Sequence, residues 1–434
     1  MKTPYNKHVW AVLITILTII TLAGCSPADK TKPTEEPNGF IPSLDQQISS
    51  TLNVVGHYSN FESLEEEFNL FSQYYPNVKL RYTYLEDYNK NISLALASDE
   101  APDIFFTFPW MIGNKTYMDL FDFAEDLSAE SLKIDLSVIR DRVLYKDTEG
   151  HIFMVPIFSS TNGMLINEDI FEKEKISIPN SYESFLSACE ALQKAGYKSP
   201  VMSYTGGTFL LFPLYYPLFC SEILGNETAV SELNAMKPGA GEYMRSALER
   251  AVDFMNHGYI DLEECSGIEN DYNAVIMRFF EGDVPMMLGT ANTVSGTEKR
   301  ESQSDAFTAH PFKYSFHPVP STEKGGFFVE NVSLGFSVNK NSENLDIANE
   351  FIRFIVSSDE LNRMAQSKRM VTPAKNMSLD GIYASFGEVE HISQSDVGIL
   401  DAVDIQVRTA GSRVCKGEMT IDEAIAAYGT LSEK

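Results

Sequence analysis

Polar and apolar positions alternate through residues 51–57 (TLNVVGH) and again through 78–84 (VKLRYTY), the period of two expected of strands. Between them Phe61, Leu64, Phe68 and Phe71 recur three or four positions apart, which predicts a helix. Ser59 and Glu62 have capping-box spacing at its start, and Pro76 stops it. Asp87 is placed to cap a second helix carrying Ile92, Ala95 and Leu96. Residues 103–108 (DIFFTF) then form a third strand ending at Pro109-Trp110. This strand–helix alternation predicts a parallel sheet covered by helices, with ligands bound beyond the carboxyl ends of the strands. Those ends are Tyr58-Ser59-Asn60, Leu85-Glu86-Asp87 and Pro109-Trp110.

Residues 152–171 (IFMVPIFSSTNGMLINEDIF) set a polar knot, Ser159-Ser160-Thr161-Asn162-Gly163, between two apolar runs. The pattern fits either a surface hairpin or one strand bending from one sheet into another, its polar middle facing a cleft. Helical stripes follow. The first carries Tyr182, Phe185, Leu186, Cys189 and Leu192, with Asn180 and Glu183 at capping-box spacing. The next two are Met244, Ala247, Leu248, Ala251, Val252 and Met255, and then Tyr272, Val275, Ile276, Phe279 and Phe280. Residues 209–219, apolar with two prolines, read as a buried irregular helix. Strands are predicted at 284–290, 314–319 and 333–338, and helices through Ala348 to Val356 and at the C-terminus.

A length of 434 residues implies two domains, and 44% hydrophobic with 22% charged residues suits large cores. The first 25 residues differ. Lys2 and Lys7 precede an apolar run from Val9 to Leu22, too short for a membrane span and suited to the core of a signal peptide. The run ends in Leu22-Ala23-Gly24-Cys25, which resembles a bacterial lipobox. That resemblance implies removal of residues 1–24, acylation of Cys25 (diacylglycerol and palmitate) and a lipoprotein on the outer face of the cell membrane. The alternative is an ordinary signal peptide with an incidental cysteine. Two or more acyl chains would hold the protein stably. Residues 25–50, rich in Pro, Ser, Thr and charge, read as a flexible tether spanning roughly 25–30 Å.

Removing two lysines and no acid takes the formal charge from −27 to −29, which argues against nucleic acid or anionic lipid as a partner. Cys189, Cys220, Cys265 and Cys415 either form two disulfides in one of three pairings or remain buried thiols. The seven histidines show no zinc-type spacing, and no GxSxG or HExxH appears, so neither metal nor cofactor is expected.

Several segments resemble, in order, the extracellular solute-binding proteins of ABC sugar importers, the family 1 or maltose-binding-protein-like group. They are YSNFESLEEEF with YPNVKLRY, ALASDEAPDIFF, residues 150–192 around the polar knot, RFFEGDVPMMLG and LGFSVNKNSENLDIANEFIRFI. The resemblance implies a two-lobed α/β fold of the periplasmic-binding-protein type II. Each lobe would be a mainly parallel sheet flanked by helices, and crossover strands would join them. It assigns residues 51–158 plus 292–336 to one lobe and 159–291 plus 337–434 to the other, with crossovers near 158–162, 289–292 and 336–339. It further implies a monomeric receptor, not an enzyme, that traps a carbohydrate between the lobes and docks on permease subunits.

Carried over residue by residue, the resemblance places Tyr58, Asn60, Glu86, Asp87 and Trp110 on the first-lobe loops and Ser160 and Asn162 at the crossover. Tyr204 and Thr205 fall in the second lobe, Asn292 after the returning strand, and Phe328 and Glu330 in a glycine-flanked loop. Many relatives carry a Trp after the returning strand, where this chain reads GTANTVSG; Phe327, Phe328 and Tyr204 are the candidates to replace it. Aromatic faces suit the C–H side of a pyranose, while Asp, Glu and Asn bond its hydroxyls. Each residue also has a plain structural reading. Trp110 could be a surface aromatic, Asp87 and Asn60 helix caps, Glu86 and Glu330 solvated acids, and Ser160 and Asn162 turn residues. A binding protein for a peptide or polyamine, or a two-carboxylate glycosidase, would be the competing functions.

Overall fold

The alternation at residues 50–56 buries Leu52 and Val54, which makes β1 (Ser50–Gly56) a central strand. It pairs in parallel with β2 (Val78–Tyr84) and β3 (Ile104–Thr107). The computed structural model describes residues 39–111, 118–147, 149–266, 272–323 and 325–432. The expected signal peptide (1–24), the expected lipidation site Cys25 and residues 25–38 of the expected tether lie outside the described residues. Residues 40–434 form one compact unit.

Helix Glu62–Phe71 lays Leu64, Phe68 and Phe71 against the core, as its spacing predicts. Its start differs from the sequence expectation. Phe61, not Ser59, is the cap residue, and no side chain caps the helix. Burying the Phe61 ring among Tyr58, Phe106 and Phe336 fixes the entry of the chain instead. The second expected box also shifts by one residue, because Ser181 and Ser184 bond each other's backbone in place of Asn180 and Glu183.

Seven further strands complete two sheets, the first of which contains β1–β3. β4 (Val155–Ser160) and β9 (Phe327–Val338) lie antiparallel to each other, β9 is antiparallel to β3, and β10 (Glu390–Ser393) is parallel to β9. The second sheet has the order β6 (Val201–Ser203), β7 (Met286–Thr290), β5 (Asn162–Asn167), β8 (Tyr314–His317). Thr161 alone separates β4 from β5. The polar knot is therefore a strand that leaves one sheet and enters the other, not a hairpin. The first sheet is parallel from β2 through β1 to β3 and between β9 and β10, and antiparallel where β9 meets β3 and β4, whereas the second is mainly antiparallel because β5 enters antiparallel to β7 and β8.

Two expected segment boundaries fall elsewhere. β8 occupies the free edge of β5 in the second sheet, so the stretch 292–317 stays with that sheet and the chain returns through residues 318–326. At the other expected boundary β9 runs on through Val338, paired with Ile104, so no crossover occurs at 336–339. Helices Leu345–Ile355 and Ser358–Ser367 also pack on the first sheet's side. Phe351 lies 5.1 Å from Phe71 between ring centres, and Arg363 donates to Glu67 at 2.9 Å.

The tether ends sooner than its composition suggests. Phe40 packs on Tyr74 and Phe354, and Ser43 gives both its N–H and hydroxyl to Glu350, at 2.8 and 2.6 Å. On the second sheet, helices Phe212–Ile223, Arg245–Asn256 and Asp401–Cys415 pack together. Gly411 lets two of them cross closely; a Cβ there would collide with the Tyr215 ring. All four described cysteines are buried and free, which settles the disulfide alternative. No helix among the described residues is long and apolar enough to cross a membrane.

Candidate functional site: the cleft between the sheets

The bend at Thr161 puts the end of β4 and the start of β5 on opposite walls of one cleft. Ser160 and Asn162 both line it, with about 880 Å³ of empty space open to solvent. The first-sheet wall adds Trp110 beyond the carboxyl end of β3, Tyr145, and residues 329–332 of β9. The second-sheet wall adds Thr290 and Asn292 at the end of β7. Phe209, Phe212 and Tyr216 come from the proline-bearing segment, and Asp401, Asp404 and Arg408 from helix Asp401–Cys415, while Gln394 follows β10 of the first sheet and reaches across to Asp401.

Aromatic rings stand on both walls of the cleft among polar groups. Trp110 stacks on Phe108 at 5.7 Å and 10° and remains 40% exposed. Phe212 and Tyr216 stack at 4.5 Å on the far wall. Phe209 and Tyr145 line the cleft as well, whereas of the expected replacements for the missing Trp, Phe328 is buried in the core and Tyr204 lines an adjoining space.

The polar groups differ in how far they are already engaged. Asn162 is 2% exposed, and neither its amide nitrogen nor its oxygen has a protein partner. Asp404 accepts from Arg408 Nε at 2.7 Å, and Asp401 accepts from Gln394 Nε2 at 3.0 Å. Burial raises the Asp401 carboxyl, and the nearby Asp404 charge adds to that against Gln394 and Arg408. Tyr145 is pushed up by burial and by the Asp401, Asp404 and Glu330 charges, so it stays a neutral hydroxyl donor.

Glu330 also lines the cleft but is fully buried and spoken for. Arg140 donates to both its oxygens, through Nε at 3.0 Å and through a guanidinium NH2, and His391 Nε2 lies 2.8 Å from Oε2. Burial works to raise this carboxyl, and the bonds and charges of His391 and Arg140 outweigh it, so it titrates below the usual range. Its role is a structural ion pair behind the wall rather than a free acceptor.

Of the twelve carried-over residues, Trp110, Ser160, Asn162, Asn292 and Glu330 line this cleft, and Tyr204 lines an adjoining space. The other six do not, and each has a packing reason. Tyr58 sits in an aromatic cluster 5.1 Å from Phe61 and 5.7 Å from Phe106. Asn60 donates to Glu62 on the surface, and exposed Asp87 pairs with Lys90. Glu86 is exposed and gives only its carbonyl to Asn91. Thr205 is buried beside the loop, and Phe328 is core, stacked on His391 at 4.2 Å.

Residues missed from sequence are Tyr145, Phe209, Phe212, Tyr216, Gln394, Asp401, Asp404 and Arg408. The spacing 401, 404, 408 marks one helix face, which was the available signal.

The match to a family model described as bacterial extracellular solute-binding protein covers residues 57–361. The melibiose/raffinose/stachyose-binding protein MelE of Bacillus subtilis is 19% identical over 386 residues, 87% of this chain and 84% of that protein. The GacH receptor of Streptomyces glaucescens superposes with a TM-score of 0.68 at 17% identity, covering 88% of this chain and 97% of that one. Apo RafE of Streptococcus pneumoniae gives 0.67 at 15%, covering 89% and 98%. These relatives are receptors that share the two-lobed mixed α/β fold. With the family match covering well over half of the chain, including the strand that bends between the two sheets, the chain belongs to the bacterial extracellular solute-binding proteins.

Proposed function

We propose that this protein is a lipid-anchored receptor that binds a carbohydrate in the cleft and delivers it to the permease of an ABC transporter. The observation that carries the reading is the cleft's pairing of aromatic faces with an unpartnered, buried Asn162 amide. Carbohydrate presents the matching surface, an apolar C–H face edged by hydroxyls. Charge supports a neutral ligand, because Glu330 and Asp404 are each matched by an arginine. MelE is named for melibiose, raffinose and stachyose, and RafE has been solved with raffinose. Binding would shift an equilibrium between open and closed lobes, with Thr161 at one hinge.

The first test is a thermal-shift and calorimetry screen with melibiose, raffinose, stachyose and maltotriose, beside spermidine and a tripeptide. At least one saccharide is expected to raise the melting temperature and titrate to one site. Stabilisation by spermidine or peptide alone would replace the sugar assignment. The lipid anchor is tested separately. Cys25→Ala should move the protein from the membrane fraction of cells to the medium, and retention of that variant on the membrane would remove the anchor from the proposal.

A further inference from the structure

Three open spaces meet at one exposed side chain. Phe209, 41% exposed, lines the cleft, a space of about 700 Å³ beside β6 and β7, and a third space along helix Asp401–Cys415. The second of these shares Thr290 and Asn292 with the cleft as well, so it is an arm of the same site.

The arm differs from the cleft in its chemistry. Tyr204, Phe209, Pro213 and Leu288 give it carbon walls. Its hydroxyl oxygens and the Asn292 amide oxygen already accept local bonds. Thr293 Oγ1 accepts from the Thr290 N–H at 3.1 Å, and Thr290 Oγ1 from the Asn292 N–H at 3.2 Å. Ser203 Oγ accepts from the Leu211 N–H at 3.3 Å, and Asn292 Oδ1 from Ser333 Oγ at 2.8 Å. A sugar ring pushed into the arm would lose water from several hydroxyls and find few partners in return, which is unfavourable. An alkyl, acyl or aryl group there loses nothing and gains by leaving water.

We propose that the arm receives an apolar substituent of the ligand, so that the preferred solute is a glycoside or sugar ester whose hydroxylated rings stay in the cleft. This rests on the carbohydrate reading above. Phe209 stands at the branch as the shared wall, with one face toward the rings and the other toward the substituent.

The test compares melibiose, raffinose and maltose with their p-nitrophenyl glycosides or octanoyl monoesters by calorimetry. At least one substituted sugar is expected to bind tenfold or more tightly than its parent. Ester and aryl arms separate the two sources of apolar surface. Leu288→Phe, and the milder Pro213→Leu in the first turn of its helix, narrow the arm without touching the cleft. Either should bring substituted and parent sugars within about twofold of each other while the parent's Kd holds. Equal affinity of parent and substituted sugars for the unaltered protein overturns the inference alone, as does an advantage that survives a folded arm-filling variant. Failure of every sugar, substituted or not, overturns the carbohydrate reading and the inference with it.

Discussion

Arg140→Met is expected to destabilise the protein by about 3–5 kcal/mol, read as a lower urea midpoint at unchanged slope. The substitution leaves the Glu330 carboxylate, 0% exposed, with His391 as its remaining partner, and it unpairs the carbonyls of Thr372 and Ala374 that the same guanidinium bonds. An uncompensated buried charge costs far more than the pair contributes, so Arg140→Met with Glu330→Gln should recover part of the loss. A loss that adds in full across the double variant would show that the two side chains act independently.

The pH dependence follows from the same geometry. The folded Glu330 carboxyl titrates below its usual value of 4.5, so the stability it contributes is complete above that pH and is lost as pH falls through the lower folded value. The gap between the native protein and Arg140→Met should therefore be widest at neutral pH and shrink as pH falls, first as the variant's carboxyl takes up a proton and fully once the native one does so at its lowered value. A gap that stays constant from neutral to acid pH would make the effect one of packing.

The first two strands were legible because their signals are local, period-two alternation that buries one face. The bend at residues 159–163 was only half legible, since a polar knot between two apolar runs fits a hairpin as well as a bend, and the ordered family resemblance rather than the local pattern favoured the bend. The cleft's second wall was not legible. Asp401, Asp404 and Arg408 share a helix face, yet which way that face points depends on Gly411 packing against Tyr215, a contact nearly two hundred positions apart in sequence. The strand-end rule also overreached at Tyr58 and Glu86. It locates the loops correctly but says nothing of which side chains the neighbouring core absorbs, and the Phe61 and Phe106 rings absorb Tyr58. β8 was misassigned for a related reason, since its partner is β5, about 150 residues earlier, and nothing in its own pattern names that edge.

Asn162→Leu should move binding and stability in opposite directions. The Asn162 backbone is held by the β5–β7 ladder opposite Thr290, and a leucine of similar size leaves that ladder intact. The amide itself is buried without a protein partner, and such a group costs about 1–3 kcal/mol in the unliganded protein. The variant should therefore unfold at an equal or higher temperature than the native chain. Against ligand the sign reverses. An amide that gives one hydrogen bond and accepts another is worth roughly two such bonds, so affinity should fall about 100-fold, near 2.8 kcal/mol at 1.4 kcal/mol per decade. Were Asn162 there only to bend the chain, the leucine would lower stability and any loss of affinity would track it. A buried polar group kept at a cost to the fold is what a binding site leaves behind when its partner is the ligand, and the opposed signs make that distinction measurable.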